Sequence, residues 1–106
     1  MARMNRWRYT VADPIRIGFI GTGGNARGHI RTVAGLEGTE VVAFADPSEA
    51  ALEAAQERLD KPVPTYSDYI EMLDSEKLDG VVISTPHTLH YEQVMAALDR
   101  GIHVEI

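Results

Sequence analysis

Two hydrophobic patterns alternate along the chain. Short runs at 15–20, 40–45, 63–66, 81–84 and 102–106 are apolar at most positions, as strands buried on both faces of a parallel sheet are. Between them, apolar residues recur every three or four positions, as on helices packed against such a sheet. The spacing predicts a first helix over about 25–36, with Ala26, Ile30, Val33 and Ala34 on one face. A second is expected over 48–60, with Pro47 in its first turn and Leu52, Ala55 and Leu59 as the buried stripe. Ser67 is the expected cap of a third helix, with Ile70 and Leu73 inward. A last helix is predicted over about 89–100, with Val94, Ala97 and Leu98 inward and Gly101 ending it. Strands alternating with helices in this way imply right-handed βαβ units. The expected fold is α/β: a doubly wound, mostly parallel sheet with helices on both faces.

The first strand runs directly into Gly21-Thr22-Gly23-Gly24-Asn25-Ala26. Gly21, Gly23 and Ala26 stand in the three positions of a G-x-G-x-x-G/A fingerprint. The first glycine permits a tight turn, and the second lets a pyrophosphate approach the backbone with no Cβ in the way. The third small residue allows close packing of helix on strand. The helix start then presents free N–H groups to the phosphates. Such a turn gains force inside a strand–turn–helix–strand unit with an acidic residue about 20 positions on. Asp46 meets that requirement at the end of the second strand, 20 residues after Ala26.

A carboxylate at that place accepts from the hydroxyls of an adenosine ribose and repels a 2′-phosphate. Pro47, Ser48 and Glu49 bring no cation to neutralise one, so NAD is favoured over NADP. Ser84-Thr85-Pro86-His87 ends the fourth strand, beside the first, where strand order reverses in a doubly wound sheet. Ligands bind in the crevice at that switch point. Thr85, Pro86, His87 and His90 are therefore candidate cofactor contacts, joining Gly21 to Ala26 and Asp46 to Ser48.

Composition narrows the classes. The 106 residues carry a net charge of -6, which argues against generic binding to nucleic acid or to an anionic membrane. No apolar run approaches the roughly 18 residues of a membrane span. The chain has 0 cysteines, which excludes disulfides and thiolate chemistry and fits a reducing, cytoplasmic compartment. With no thiolate and no third ligand in view, His87 and His90 do not make a metal site. His29 reads as a solvated or phosphate-proximal residue and His103 as pointing off its strand's apolar face. Tyr66 and Tyr69 read as packing residues. No catalytic residue is assigned. Residues 1–14 hold Arg3, Arg6 and Arg8 without an apolar h-region, which reads as a mobile leader. Trp7 and Tyr9 there suggest packing on the domain or on a partner subunit as the alternative.

The runs IGFIGTGGNARGHI, AFADPS, YSDYIEML and VVISTPHTLHYEQVMAALDRGIHV, in this order, resemble the N-terminal domain of the glucose–fructose oxidoreductase / inositol dehydrogenase (Gfo/Idh/MocA) family. The likeness covers about residues 15–104, and its Thr-Pro-x-x-x-His stretch discriminates better than the glycine turn. It implies a Rossmann domain, incomplete at its C-terminal end, from an NAD(P)-dependent oxidoreductase acting on sugars or cyclitols. It also implies pyrophosphate contacts from Gly21, Gly23, Gly24, Asn25 and Ala26, and a ribose contact from Asp46. Thr85, Pro86, His87 and His90 would flank the nicotinamide side. His87 departs from the family's usual asparagine. The family's Glu-Lys-Pro motif, with its catalytic lysine, and its substrate domain are missing after Glu105-Ile106; Lys61 and Lys77 are the only lysines and lie elsewhere. The domain is thus expected over 15–106, binding cofactor without turnover and engaging a sugar-like substrate only with the missing domain. A homo-oligomer paired through the last strand's open edge is also expected. A stand-alone nucleotide-binding or interaction module is the alternative, and a methyltransferase-like site a weaker third.

Overall fold

In the computed structural model, which describes residues 3–4, 10–11 and 13–106, eleven elements follow one another. They are β1 (Arg3–Met4), β2 (Thr10–Val11), β3 (Ile15–Ile20), α1 (Gly24–Ala34), β4 (Thr39–Ala45) and α2 (Glu49–Gln56). Then come β5 (Thr65–Tyr66), α3 (Tyr69–Ser75), β6 (Gly80–Ile83), α4 (His87–Asp99) and β7 (His103–Glu105). Five strands form one sheet in the order β5-β4-β3-β6-β7, and every pair in it is parallel. Strand order reverses beside β3, because β4 and β5 extend the sheet to one side and β6 and β7 to the other. Carboxyl ends of β3, β4 and β6 therefore meet at one crevice.

The continuous apolar runs are explained by burial on both faces. Phe19, Val41 and Phe44 pack against Ala26 and Ile30 of α1 and Leu52 and Ala55 of α2. Phe19 and Phe44 meet edge to face with ring centroids 6.0 Å apart. On the other face, Ile20, Val42, Val81 and Ile83 pack against Met72 and Leu73 of α3 and Ala97 of α4. Within the expected leader, Arg3↔Val11 and Met4↔Thr10 form a small antiparallel ladder. Trp7 and Tyr9 lie outside the described residues.

Several local boundaries differ from the pattern-based ones. The first helix ends at Ala34, which is exposed: Gly35 N–H already bonds back to Arg31 and Thr32 carbonyls, and Gly38 turns the chain at φ +86°. Ser48, not Pro47, fixes the start of α2, its Oγ accepting from Ala51 N–H at 3.2 Å, so Pro47 stays ahead of the helix. That helix stops at Gln56, where Arg58 and Leu59 N–H donate back three residues and tighten the turn. Asp68 rather than Ser67 caps α3, accepting from Ile70 N–H at 2.9 Å. The third strand shortens to Thr65–Tyr66, since Pro62 and Pro64 have no N–H for a ladder. The last helix starts two residues early, at His87 behind Pro86. Its Leu98 is 53% exposed, while Gln93 is buried in the place that periodicity gives to an apolar side chain.

Candidate functional site

The glycine turn is held where the fingerprint requires it. Gly21 adopts φ +90°, and its N–H donates to the Ala45 carbonyl at 2.8 Å. A Cβ on Gly21 would stand 2.8 Å from both the Ser84 oxygen and the Thr85 Cγ2. Backbone conformation and close approach to the end of β6 thus both demand glycine. Gly23 differs: a Cβ there would meet nothing within 4 Å, so its side of the turn is open to a ligand. Gly23 is also the N-cap of α1 and supplies no side-chain cap. The first intrahelical bond runs from Arg27 N–H to Gly23 O at 3.1 Å. Amides of Gly24, Asn25 and Ala26 consequently point out of the helix start with no intrahelical partner. Ala26 itself is fully buried, and its small side chain lets α1 lie close on the sheet.

Asp46 follows β4 directly and is bound to the turn. Its Oδ2 accepts from Thr22 N–H at 2.8 Å and from Thr22 Oγ1–H at 3.1 Å. Ser48 N–H donates to Oδ1 at 2.8 Å. Thr22 is 0% exposed, so its side chain touches the carboxylate and not the crevice. Pro47 and Ser48 are exposed beside it. The carboxylate retains acceptor capacity, because each ionised oxygen offers about two lone-pair sites.

Across the crevice, the start of α4 is tied to the end of β6. His90 Nε2–H donates to the Thr85 carbonyl at 2.6 Å. Thr85 Oγ1–H donates to the Oε1 of buried Gln93. Pro86 and His87 are exposed, and the His87 and His90 rings lie 4.9 Å apart, tilted by 57°. Among the described residues, no three histidine or acidic side chains cluster at metal-binding distance. Between the two sides lies a cavity of about 300 Å³, lined by Ile20, Asp46, Ser67, Thr85, Leu89 and Gln93 among others. Burial pushes the neighbouring Tyr69 phenol above its ordinary value, and the Glu92 charge adds to this.

All the sequence-predicted residues therefore gather at the carboxyl edge of the sheet, but they differ in what they face. Gly23, Gly24 and Asn25 are open, whereas Thr22 and Ala26 are buried beneath them. Two neighbours escaped the pattern. Arg27 sits one turn into α1 and donates from Nη1 to the Thr22 carbonyl at 3.2 Å. Gln93 braces Thr85 from the core of α4; its signal was a polar residue four positions before buried Ala97.

A five-stranded parallel sheet in this order, with an open glycine turn at a helix start and a carboxylate ending the next strand, defines a dinucleotide-binding domain. The pattern described as "Oxidoreductase family, NAD-binding Rossmann fold" (GFO_IDH_MocA) matches residues 15–106. The chain belongs to this family and is its NAD-binding Rossmann domain. It is similar to scyllo-inositol dehydrogenase of Lactobacillus casei, solved with NAD(H) and scyllo-inositol, at 27% identity and a TM-score of 0.80. That likeness covers 87% of this chain and 27% of the other. Myo-inositol dehydrogenase of the same organism, in complex with NAD(H) and myo-inositol, is 33% identical with a TM-score of 0.77, over 86% of this chain and 27% of its own. Among curated relatives, an α-N-acetylgalactosaminidase of Tannerella forsythia is 33% identical over 83% of this chain and 20% of that protein. The chain thus spans about a fifth of the length of the curated relatives it matches. No helix of the described residues is long and apolar enough to cross a membrane.

Proposed function

We propose that the crevice binds NAD in preference to NADP, with its pyrophosphate on the amides of Gly24, Asn25 and Ala26 and its adenosine ribose on Asp46. The carrying observation is the coupling of the open Gly23 face to a carboxylate held in place by Thr22 and Ser48. Gly21 shapes the turn. Thr85, Pro86, His87 and His90 border the opposite, nicotinamide end, and Pro47 and Ser48 border the ribose. The nicotinamide ring, when bound, supplies the acceptor or donor of a hydride. This chain's residues bind and orient it and hold the two ends of the crevice together. The protein to which the domain belongs acts, in this reading, on a sugar or cyclitol carbon bearing a hydroxyl or carbonyl group. A cytoplasmic place is supported by the cysteine-free composition.

Residues 15–106 form the cofactor domain, and substrate contacts fall to residues beyond the 106 described by this sequence. By itself the chain binds cofactor without turnover; a steady-state rate above background with any polyol overturns that. A second reading, an NAD-dependent glycosidase, is favoured by the names of the curated relatives, which include "Glycosyl hydrolase family 109 protein" in Shewanella baltica at 32% identity. The two readings part on net NADH yield when the protein carrying this domain turns over: a dehydrogenase accumulates NADH, and a glycosidase releases sugar without doing so. The β7 edge, which among the described residues pairs only with β6, is the proposed contact with a second copy. A concentration-independent monomer in ultracentrifugation overturns that contact.

Calorimetric titration of the chain with NAD and NADP tests the site. NAD is expected to bind at least about tenfold more tightly, and Asp46→Asn to weaken NAD by about tenfold while narrowing the gap to NADP. Equal binding of both cofactors by the unsubstituted chain overturns the assignment of Asp46.

A further inference from the structure

Thr22 occupies the variable position between the first two glycines of the turn, yet its side chain is fully buried and faces away from the open crevice. Both its donors are spent on one atom. The N–H and the Oγ1–H reach the Asp46 Oδ2 at 2.8 and 3.1 Å, while Ser48 N–H takes Oδ1. Neither partner is a cation, so the carboxylate is oriented without being neutralised. Oδ1, with one hydrogen bond against two on Oδ2, has the greater remaining acceptor capacity. The Thr22 carbonyl is held in turn by Arg27 at 3.2 Å, which anchors the residue from the helix side.

We infer that Thr22 is a positioning residue that sets the selectivity for NAD over NADP, by locking the Asp46 carboxylate against the glycine turn. The inference rests on the cofactor reading given above. A locked carboxylate keeps its lone pairs on the ribose hydroxyls and its charge against a 2′-phosphate. Without the hydroxyl, the carboxylate keeps one N–H bond on each oxygen, from Thr22 and Ser48, and gains freedom to tilt, weakening the first and relaxing the second. The hydroxyl contributes this through geometry, since the buried Thr22 side chain is bonded to the carboxylate.

The experiment measures the dissociation constants of NAD and NADP for the 106-residue chain and for Thr22→Val, Thr22→Ser and Asp46→Asn, with circular dichroism to verify folding. Thr22→Val removes the hydroxyl while keeping the shape. It is expected to weaken NAD by about three- to tenfold, to leave NADP unchanged or tighter, and so to shrink the NADP/NAD ratio of dissociation constants. Thr22→Ser, which keeps the donor, is expected to restore that ratio. In the Asp46→Asn background, Thr22→Val should not change the ratio further. Equal weakening of both cofactors, or a Thr22→Ser variant indistinguishable from Thr22→Val, overturns the inference and leaves Thr22 as a packing residue of the turn. Should Thr22→Val fail to fold, Thr22→Ala replaces it, and failure of both also overturns the inference. If the unsubstituted chain binds neither dinucleotide, the cofactor reading falls first and the role of Thr22 with it. NAD binding with an unchanged ratio sinks the role of Thr22 alone.

Discussion

The sheet has two polar edges built from the same kinds of side chain, and they use their hydrogen bonds differently. At the amino edge, Arg16 and Asp79 satisfy each other. Arg16 N–H donates to Asp79 Oδ2 and Asp79 N–H to the Arg16 carbonyl, both at 2.8 Å. Arg16 Nε–H donates to the Lys77 carbonyl at 2.6 Å, and its two Nη atoms stand 3.8 Å from Glu40 and 4.0 Å from Glu76. Glu76 in turn accepts from the Tyr66 hydroxyl at 2.5 Å, a bond that holds the phenol above its ordinary value. At the carboxyl edge, no side chain of the described residues caps the α1 amides, Asp46 keeps acceptor capacity and Gly23 faces open space. Paired groups consolidate a fold; groups with capacity left over bind something. The same chemistry therefore serves stability at one end of the strands and recognition at the other.

The largest effect that tests this division belongs to Gly21→Ala. The added Cβ meets the Ser84 oxygen at 2.8 Å in a left-handed backbone, so a loss of about 2–4 kcal/mol is expected in urea unfolding, together with NAD binding. A stable, NAD-binding variant would show that the turn does not need its close approach to β6. Next comes Arg27→Leu, expected to weaken NAD and NADP alike by about five- to tenfold, because the guanidinium bonds the backbone carbonyl of the turn and not the Asp46 carboxylate. A change confined to one cofactor would move Arg27 to the selectivity side of the crevice.

Arg16→Met sharpens the contrast from the opposite edge. It removes the bond to Lys77 and two long ion pairs, so about 1 kcal/mol of stability is expected to go while the NAD dissociation constant stays put. A shifted NAD affinity would break the separation of the edges. The smallest effect lies in the clamp between α3 and α4, where Arg100 Nε–H donates to Asp74 Oδ1 at 2.7 Å. That hydrogen bond holds the Asp74 carboxyl below its ordinary value of 3.8. A lowered folded-state value means that the contribution is present above 3.8 and is lost as pH falls through the lowered value. Thermal melts of Arg100→Gln should therefore fall slightly below the unsubstituted chain at neutral pH and coincide with it in strong acid. A gap that persists in acid would assign the effect to packing of the Arg100 stem.

Much of the architecture was legible from local pattern, because strands buried on both faces must be continuously apolar and the helices between them must show a stripe. Ile17, Phe19 and Ile20, or Val41, Val42 and Phe44, admit little else. Glycine and proline punctuation also placed the turn at Gly21 and the end of α4 at Gly101. Boundaries set by a single side chain were less visible. Ser67 and Asp68 are both good caps, and only the path of the chain out of β5 selects Asp68. Leu98, expected inward, is exposed, and Gln93 is buried with a partner in Thr85, which no periodicity reports.

Order along the chain was thus enough to announce a βαβ domain, a glycine turn and a carboxylate at the end of the next strand, since each depends on residues close in sequence. Which atoms that carboxylate touches depended on the approach of β3 to β4, which brings Thr22 to Asp46 across 24 residues. The closure of the turn on Ser84 and the bracing of Thr85 by Gln93 likewise needed the packed sheet. Hydrogen bonds are satisfied through space, so a residue's composition class tells that it wants a partner, and only the fold tells which partner it finds and what capacity is left.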